Sequence, residues 1–306
     1  MQDKKRKPIE DAALLVGGLA RNCQETLAAT IAALERATAG FRERTILIVE
    51  SDSDDETVKR LEKLQGEGRL TFVSLGSLQQ EFPLRTARIA HCRNHILDFV
   101  KQSGSEFDYV MLADMDGLNA SLTRMSVEDC WLRSTDWDVV TANQEHAYYD
   151  IWALRHPDWV PRDCWQSVRT LERYFGFAEA RQMAVHSRQA QIRLSAPLLE
   201  VESAFGGLAI YRREAFVVGE YLGLEDGREV CEHVHFHRKL RQEGFRIYIN
   251  PQLINASPAD HLDSIRWKSR LLNLLLYLAR RVRAAIYPNV GTYRPGPGLP
   301  ASKGEE

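Results

Sequence analysis

Long hydrophobic runs are missing from this chain. No stretch reaches the roughly 18 uncharged apolar residues that a spanning helix needs, so none is expected. The N-terminal "MQDKKRKPIED" is basic, but no apolar segment follows it, and a signal peptide is not expected either. Paired cysteines are also missing. Cys23, Cys92, Cys130, Cys164 and Cys231 lie scattered, with no CxxC pair. An odd, dispersed set argues against a disulfide framework or a zinc site and for reduced thiols in a cytoplasmic protein. A surplus of one charge is absent as well: 40 Lys and Arg against 42 Asp and Glu leave a formal net charge of −2. Nothing global therefore points to nucleic acid. No internal repeat is found.

What is present suits a soluble α/β protein. The chain has 306 residues, 44% of them hydrophobic and 27% charged, enough for one large domain or two modest ones. "AALLVGGLA" (12–20) reads as a buried strand ending in glycines. "CQETLAATIAALERATAGF" has helical spacing, with Leu27, Ile31 and Leu34 on one face. "RTILIVESDSDDET" is a second strand breaking into an acidic turn, "TVKRLEKL" a helix, and "RLTFVSLG" a third strand. The amphipathic "RTARIAHCRNHILDFVKQ" leads to a fourth strand, "FDYVMLADMDGLN" (107–119). Alternating β and α units with near-continuous apolar strands predict a mostly parallel sheet covered on both faces. Residues 120–200 are less regular, with "WDVVTANQ" as a strand. "SAFGGLAIYRREAF" follows as a strand with a Gly-Gly entry, and "EHVHFHRKLRQEGFRIYINPQL" as a helix, a Gly stop and a strand.

The fourth strand ends in Asp114 and Asp116, one residue apart. Two carboxylates that close repel, and desolvating them costs several kcal/mol each unless a cation lies between them. A hard divalent ion, Mn²⁺ or Mg²⁺, takes carboxylate oxygens together with waters and phosphates. Alone, D-x-D is also an ordinary acidic turn. Its position matters, because ligands of open α/β sheets bind at the carboxyl ends of the strands.

Four motifs in order resemble nucleotide-sugar glycosyltransferases of the GT-A fold, family 2 in particular. They are "VESDSDDET" (49–57), "HCRNHIL" (91–97), "DMD" (114–116) and "EHVHFHRKLRQEGFRIYINP" (232–251). "DMDGLN", "YYDIWALR" and "FGGLAIYRREAF" resemble more specifically a capsule-type α-mannosyltransferase group and its bacterial relatives. The resemblance covers roughly residues 12–262. It implies a Rossmann-like, mostly parallel sheet and a hexose, mannose from a GDP donor in the capsule-type group, moved from a UDP- or GDP-linked sugar to a glycan or glycolipid acceptor. It also implies roles. Asp114, Asp116 and His261 would hold the metal. Glu50, Arg93, Asp114, Gly206 and Gly207 would bind the donor, and Glu232, Glu202 and His233 are the candidate catalytic residues. Two positions depart from the pattern: Ser51 replaces an Asp of the turn, and His233 stands where family 2 has its Asp base, leaving inverting and retaining outcomes both open.

Each candidate has a plainer reading. Glu50 can cap a turn, Arg93 can be a solvated helix charge, and Gly206–Gly207 can serve strand packing. His233, His235 and His237 cannot converge on a metal, because i and i+2 on a helix point apart. The expected organisation is a domain over 1–263, with a nucleotide-binding half about 10–120 and an acceptor half about 121–263. A basic amphipathic helix (264–288) and a flexible tail (289–306) follow. "SIRWKSRLLNLLLYLARRVRAAIY" has six basic residues and no acid, which suits either an anionic membrane surface on the cytoplasmic side or docking on the core. Two other functions remain on the table: a nucleotidyltransferase, although "VGGLARNC" lacks most of the expected G-x-G-T-R-x-x-P loop, and a non-catalytic carbohydrate-binding protein.

Overall fold

The computed structural model describes residues 6–255. His261, the basic segment and the tail lie outside the described residues. The first half follows the predicted alternation: β1 (Ala13–Ala20), α1 (Leu27–Ala37), β2 (Glu43–Glu50), α2 (Thr57–Gly66), β3 (Thr71–Ser74), α3 (Arg85–Gln102) and β4 (Tyr109–Asp114). The middle holds more regular structure than its composition suggests, with α4 (Arg124–Leu132), β5 (Val139–Gln144), α5 (Cys164–Phe175), α6 (Phe177–Ala184) and β6 (Leu199–Val201). Then come β7 (Leu208–Arg212), α7 (Arg213–Phe216), a small hairpin of β8 (Leu224–Glu225) and β9 (Arg228–Glu229), α8 (Glu232–Gln242) and β10 (Ile247–Asn255).

Eight strands form one sheet in the order β3-β2-β1-β4-β7-β5-β10-β6. β3, β2, β1 and β4 run parallel, as do β5 and β10; β7 lies antiparallel between β4 and β5, and β6 antiparallel at the edge. The expected mostly parallel α/β sheet is therefore present, with two reversed strands. Period-2 alternation sends Val110 and Leu112 of β4 to one face, with Ile96, Leu97 and Val100 of α3. Tyr109, Met111 and Ala113 go to the other, with Leu27, Ile31 and Leu34 of α1. Gly17 and Gly18 do not end β1, as expected from sequence, but lie within it.

The chain moves outward from β1 to β2 and β3, then returns to the other side of β1 for β4. That reversal leaves a crevice at the carboxyl ends of β1 and β4. The register puts Leu19 opposite Asp114, and Ala20 opposite Glu50, so the predicted acidic residues arrive at this edge together. No helix among the described residues is long and apolar enough to cross a membrane.

Candidate active site

Why both aspartates face the crevice is a matter of local geometry. Met115 between them is buried, and it tucks against β1 so closely that a Cβ at Gly18 would lie 2.4 Å from its Cε. Strand alternation puts Asp114, the last residue of β4, on the side opposite Met111 and Ala113, toward Arg93 of α3; Met115 and Asp116 lie in the bend that follows, where Met115 is buried and Asp116 exposed. The following loop is pinned by buried amides. Asn119 Nδ2 donates to the carbonyls of Asp114 (2.9 Å) and Gly207 (3.1 Å), and Asp114 N donates to Gly207 O at 2.9 Å. Asn255 at the end of β10 donates to Asn119 Oδ1 and Gly206 O. Asp116 remains exposed, its Oδ1 accepting only from Leu118 N at 3.2 Å.

Both aspartates line a cavity of about 370 Å³ with Ser51, Asp52, Arg93, Tyr149, Asp150, Trp152, Phe205, Glu232 and His233 among its walls. Arg93 belongs to the buried face of α3, not its solvated side. Its guanidinium sits 3.3 Å from Glu232 Oε1 and 3.7 Å from Asp114 Oδ1, over the ring of Phe205 at 4.8 Å. The contact with Glu232 is close but not aligned as a hydrogen bond, since Arg93 Nε has no hydrogen-bond partner among the described residues. Burial pulls the Arg93 pKa down, but Glu232 and Asp114 more than restore it, so the cation is held. Burial pushes the Asp114 carboxyl up to about 7; Arg93 opposes this, while Asp116, Asp150 and Glu232 add to it. His233 is buried, stacked on Phe205 at 3.8 Å between centroids, and neither ring nitrogen has a hydrogen-bond partner among the described residues. Burial, then Arg93 and His237, hold its pKa well below the usual imidazole range.

The structure thus brings Arg93, Asp114, Asp116, Glu232 and His233 together. Other predicted residues sit elsewhere. Glu50 is buried at the end of β2, where its carboxylate accepts from Ser53 N and Ser74 Oγ. It is Ser51 and Asp52 that reach the cavity wall. Gly206 and Gly207 have φ of +67° and +84°. The close approach they permit is to the protein itself: a Cβ at 206 would meet Ala142 O at 2.9 Å, and one at 207 Leu118 Cδ2 at 1.9 Å. Glu202 is exposed and lines a second cavity, with Arg155, Arg162, Arg238 and Arg241. Asp150 was not anticipated, although it lies in "YYDIWALR", one of the segments that carry the sequence resemblance. It lies in the irregular connection after β5 and accepts from Gly206 N (3.0 Å) and Ala153 N (3.2 Å).

No group of three His, Cys, Asp or Glu among the described residues is arranged to hold a metal ion. Asp114 and Asp116 still offer the hard oxygen donors that Mn²⁺ or Mg²⁺ takes. Burial is the main cause of the raised Asp114 pKa, with Asp116, Asp150 and Glu232 adding to it against Arg93, and a cation bound beside it would favour the charged form. These residues fit such an ion as a partial site, its other ligands coming from water, phosphate oxygens or residues outside those described.

No family model matches the chain, and no curated protein matches it. Solved structures do. The chain is similar to the mannosyltransferase PcManGT from Pyrobaculum calidifontis in complex with GDP-Man and Mn²⁺, with 15% identity, 89% of this chain and 65% of that one covered, and a TM-score of 0.48. It is similar to S. aureus TarS 1-349 in complex with UDP-GlcNAc, with 15% identity, 83% and 61% covered, and a TM-score of 0.48. It is also similar to glucosyl-3-phosphoglycerate synthase from Mycobacterium tuberculosis in complex with phosphoglyceric acid, with 14% identity, 94% and 83% covered, and a TM-score of 0.41. The chain spans less than two thirds of the length of the first two.

Proposed function

We propose that this chain is a metal-assisted glycosyltransferase moving a hexose from a nucleoside-diphosphate sugar to a hydroxyl of a glycan or glycolipid. The observation that carries the reading is the charge chain Asp114–Arg93–Glu232 beside Asp116, in a cavity at the carboxyl ends of β1 and β4. Sugar transfer from such a donor builds negative charge on the departing diphosphate, and fixed positive charge must meet it there. Mn²⁺ or Mg²⁺ bound by Asp114 and Asp116, with His261 as a further candidate ligand, would supply Lewis-acid stabilisation of that group.

The chain's own residues do the rest. Arg93 is held between two carboxylates and over Phe205, so its planar donors are pre-aimed at phosphate oxygens. Glu232, buried beside it, accepts from sugar hydroxyls. Ser51 and Asp52 take the nucleoside end, with Glu50 bracing their turn from behind. Gly206 and Gly207 act on the donor indirectly, by letting Leu118 and the Asp116 loop settle. Mannose from GDP, a place in capsule or surface-glycan synthesis, and a peripheral position on the inner face of the membrane complete the proposal; they follow from the sequence resemblance and the basic segment.

The test is a thermal-shift panel of GDP, UDP and their sugars with and without Mn²⁺. A nucleotide at about 100 times its Kd should stabilise the protein by roughly 2.7 kcal/mol, only when the metal is present, and Asp116→Ala should abolish the shift. Metal-dependent release of nucleoside diphosphate supports the proposal. Pyrophosphate chemistry would favour a nucleotidyltransferase instead, and no response to any nucleotide would leave a carbohydrate-binding protein.

A further inference from the structure

We infer that Asp150 is the group that takes the proton from the attacking hydroxyl. This rests on the glycosyltransferase reading and deepens it. Five carboxylates line the cavity: Asp52, Asp114, Asp116, Asp150 and Glu232. Asp52 accepts from Leu78 N and Gln79 N and faces Arg88 at 3.6 Å. Asp114 and Glu232 share Arg93, and Asp116 stands exposed at the loop where the diphosphate would leave. Asp150 alone of the five carries neither an ion pair among the described residues nor a part in the diphosphate end. Each of its oxygens accepts one backbone N–H, Oδ1 from Ala153 and Oδ2 from Gly206. Those bonds fix the carboxylate's direction and leave a lone pair on each oxygen for a substrate hydroxyl. Tyr149 and Trp152 line the cavity with it, and ring surfaces of this kind suit a sugar face. Burial also raises the carboxyl above the usual range, with Glu232 adding to that, Arg93 and the two N–H donors opposing it. A raised pKa makes a stronger base.

The step balances. The bond from the anomeric carbon to the diphosphate oxygen breaks, and that oxygen keeps the electron pair. The attacking oxygen bonds to the anomeric carbon, and its proton passes to a carboxylate oxygen of Asp150 and then to water. Direct attack on the face opposite the departing diphosphate, without a covalent intermediate, inverts the anomeric configuration.

The test uses the full chain with Mn²⁺, GDP-mannose and UDP-glucose as donors, and water as the attacking hydroxyl. Asp150→Asn should lower nucleoside diphosphate release roughly 100-fold or more, while the Mn²⁺-dependent thermal shift by GDP or UDP stays as in the parent. The sugar released by the parent should carry inverted configuration, read by NMR before it mutarotates. Should Asp150→Asn fold poorly, Asp150→Ala with added formate should regain part of the release. Release by a folded variant at the parent's rate, loss of the nucleotide shift along with turnover, retained configuration, or no formate effect each overturns the assignment. So does a parent that binds nucleotide without releasing diphosphate. A parent that binds no nucleotide sinks the glycosyltransferase reading first, and the assignment with it.

Discussion

Replacing Arg93 by methionine should cost more than the loss of one side chain's contacts. Methionine keeps an unbranched apolar stem against Phe205 and Tyr221, so packing changes little. Charge changes a great deal. Glu232, with 7% of its side chain exposed, loses the only cation within 4 Å among the described residues. Removing one partner of a buried pair costs about 3–5 kcal/mol. The lost cation–π contact adds about 1 kcal/mol. Asp114 contributes less, because a third of its side chain meets solvent and because a carboxyl at about 7 takes up a proton cheaply near neutrality. The net expectation is a loss of about 4 kcal/mol at pH 7, or a fall in Tm of roughly 8–16 °C for a domain this size. Adding Glu232→Gln to Arg93→Met removes the stranded charge and should return about 1–3 kcal/mol, a coupling visible in a double-mutant cycle. Urea unfolding at unchanged m-value is the assay. A single variant within about 1 kcal/mol of the parent, or strictly additive effects, would show that Arg93 and Glu232 do not depend on each other, and the charge chain would lose its meaning.

Two further perturbations test the scaffold around that chain. Gly207→Ala combines a positive φ of +84° with a Cβ 1.9 Å from Leu118 Cδ2, so strain and overpacking should together cost about 2–5 kcal/mol. Because Leu118 N donates to Asp116 Oδ1, the same variant should weaken Mn²⁺-dependent stabilisation; parent-like melting and metal response would refute the packing. His237 is buried between Ser203 Oγ and Tyr211 OH, each 3.0 Å away, and burial, then Arg93, lower its pKa to about 3. Its folded pKa lies below the unfolded value of 6.5, so the unfolded chain binds the extra proton. Stability is full above pH 6.5 and falls as pH drops toward 3, by about 2 kcal/mol at pH 5. His237→Gln should reduce the slope of the stability profile between pH 6.5 and 5 by about one proton and leave the share of His233, whose pKa is also lowered, measured by urea unfolding at each pH; an unchanged slope would mean that His237 takes up its proton equally in both states.

How much of this was legible in the sequence depended on how far each residue's partners lie along the chain. Apolar strands and helical spacing are local, and β1 to β4 came out where the pattern put them. The pair Asp114 and Asp116 is local too: strand alternation aims Asp114, and the bend that follows around the buried Met115 leaves Asp116 exposed. The middle was harder. Its helices carry real signals, such as Asp163 capping α5 through Gln166 N, but aromatic and charged residues blur their apolar faces. The wall of the cavity was not local at all. Asp150 is aimed by an N–H of Gly206, 56 positions away, and the loop behind Asp116 by Asn119 and Asn255, 136 apart. Glu202 and Asp150 look interchangeable as isolated acids, yet they open onto different cavities because the chain crosses from one to the other between Ser203 and Phe205. Glu50 shows the opposite case. Its neighbours Ser53 and Ser74 satisfy its carboxylate within the β2 and β3 ends, so a residue in the motif holds the turn, while Ser51 and Asp52, one and two places along, line the cavity. A motif therefore locates the strand end that opens onto the cavity more securely than it names the atoms lining it, since the strand end is set by local pattern and the atoms by whichever distant groups satisfy them.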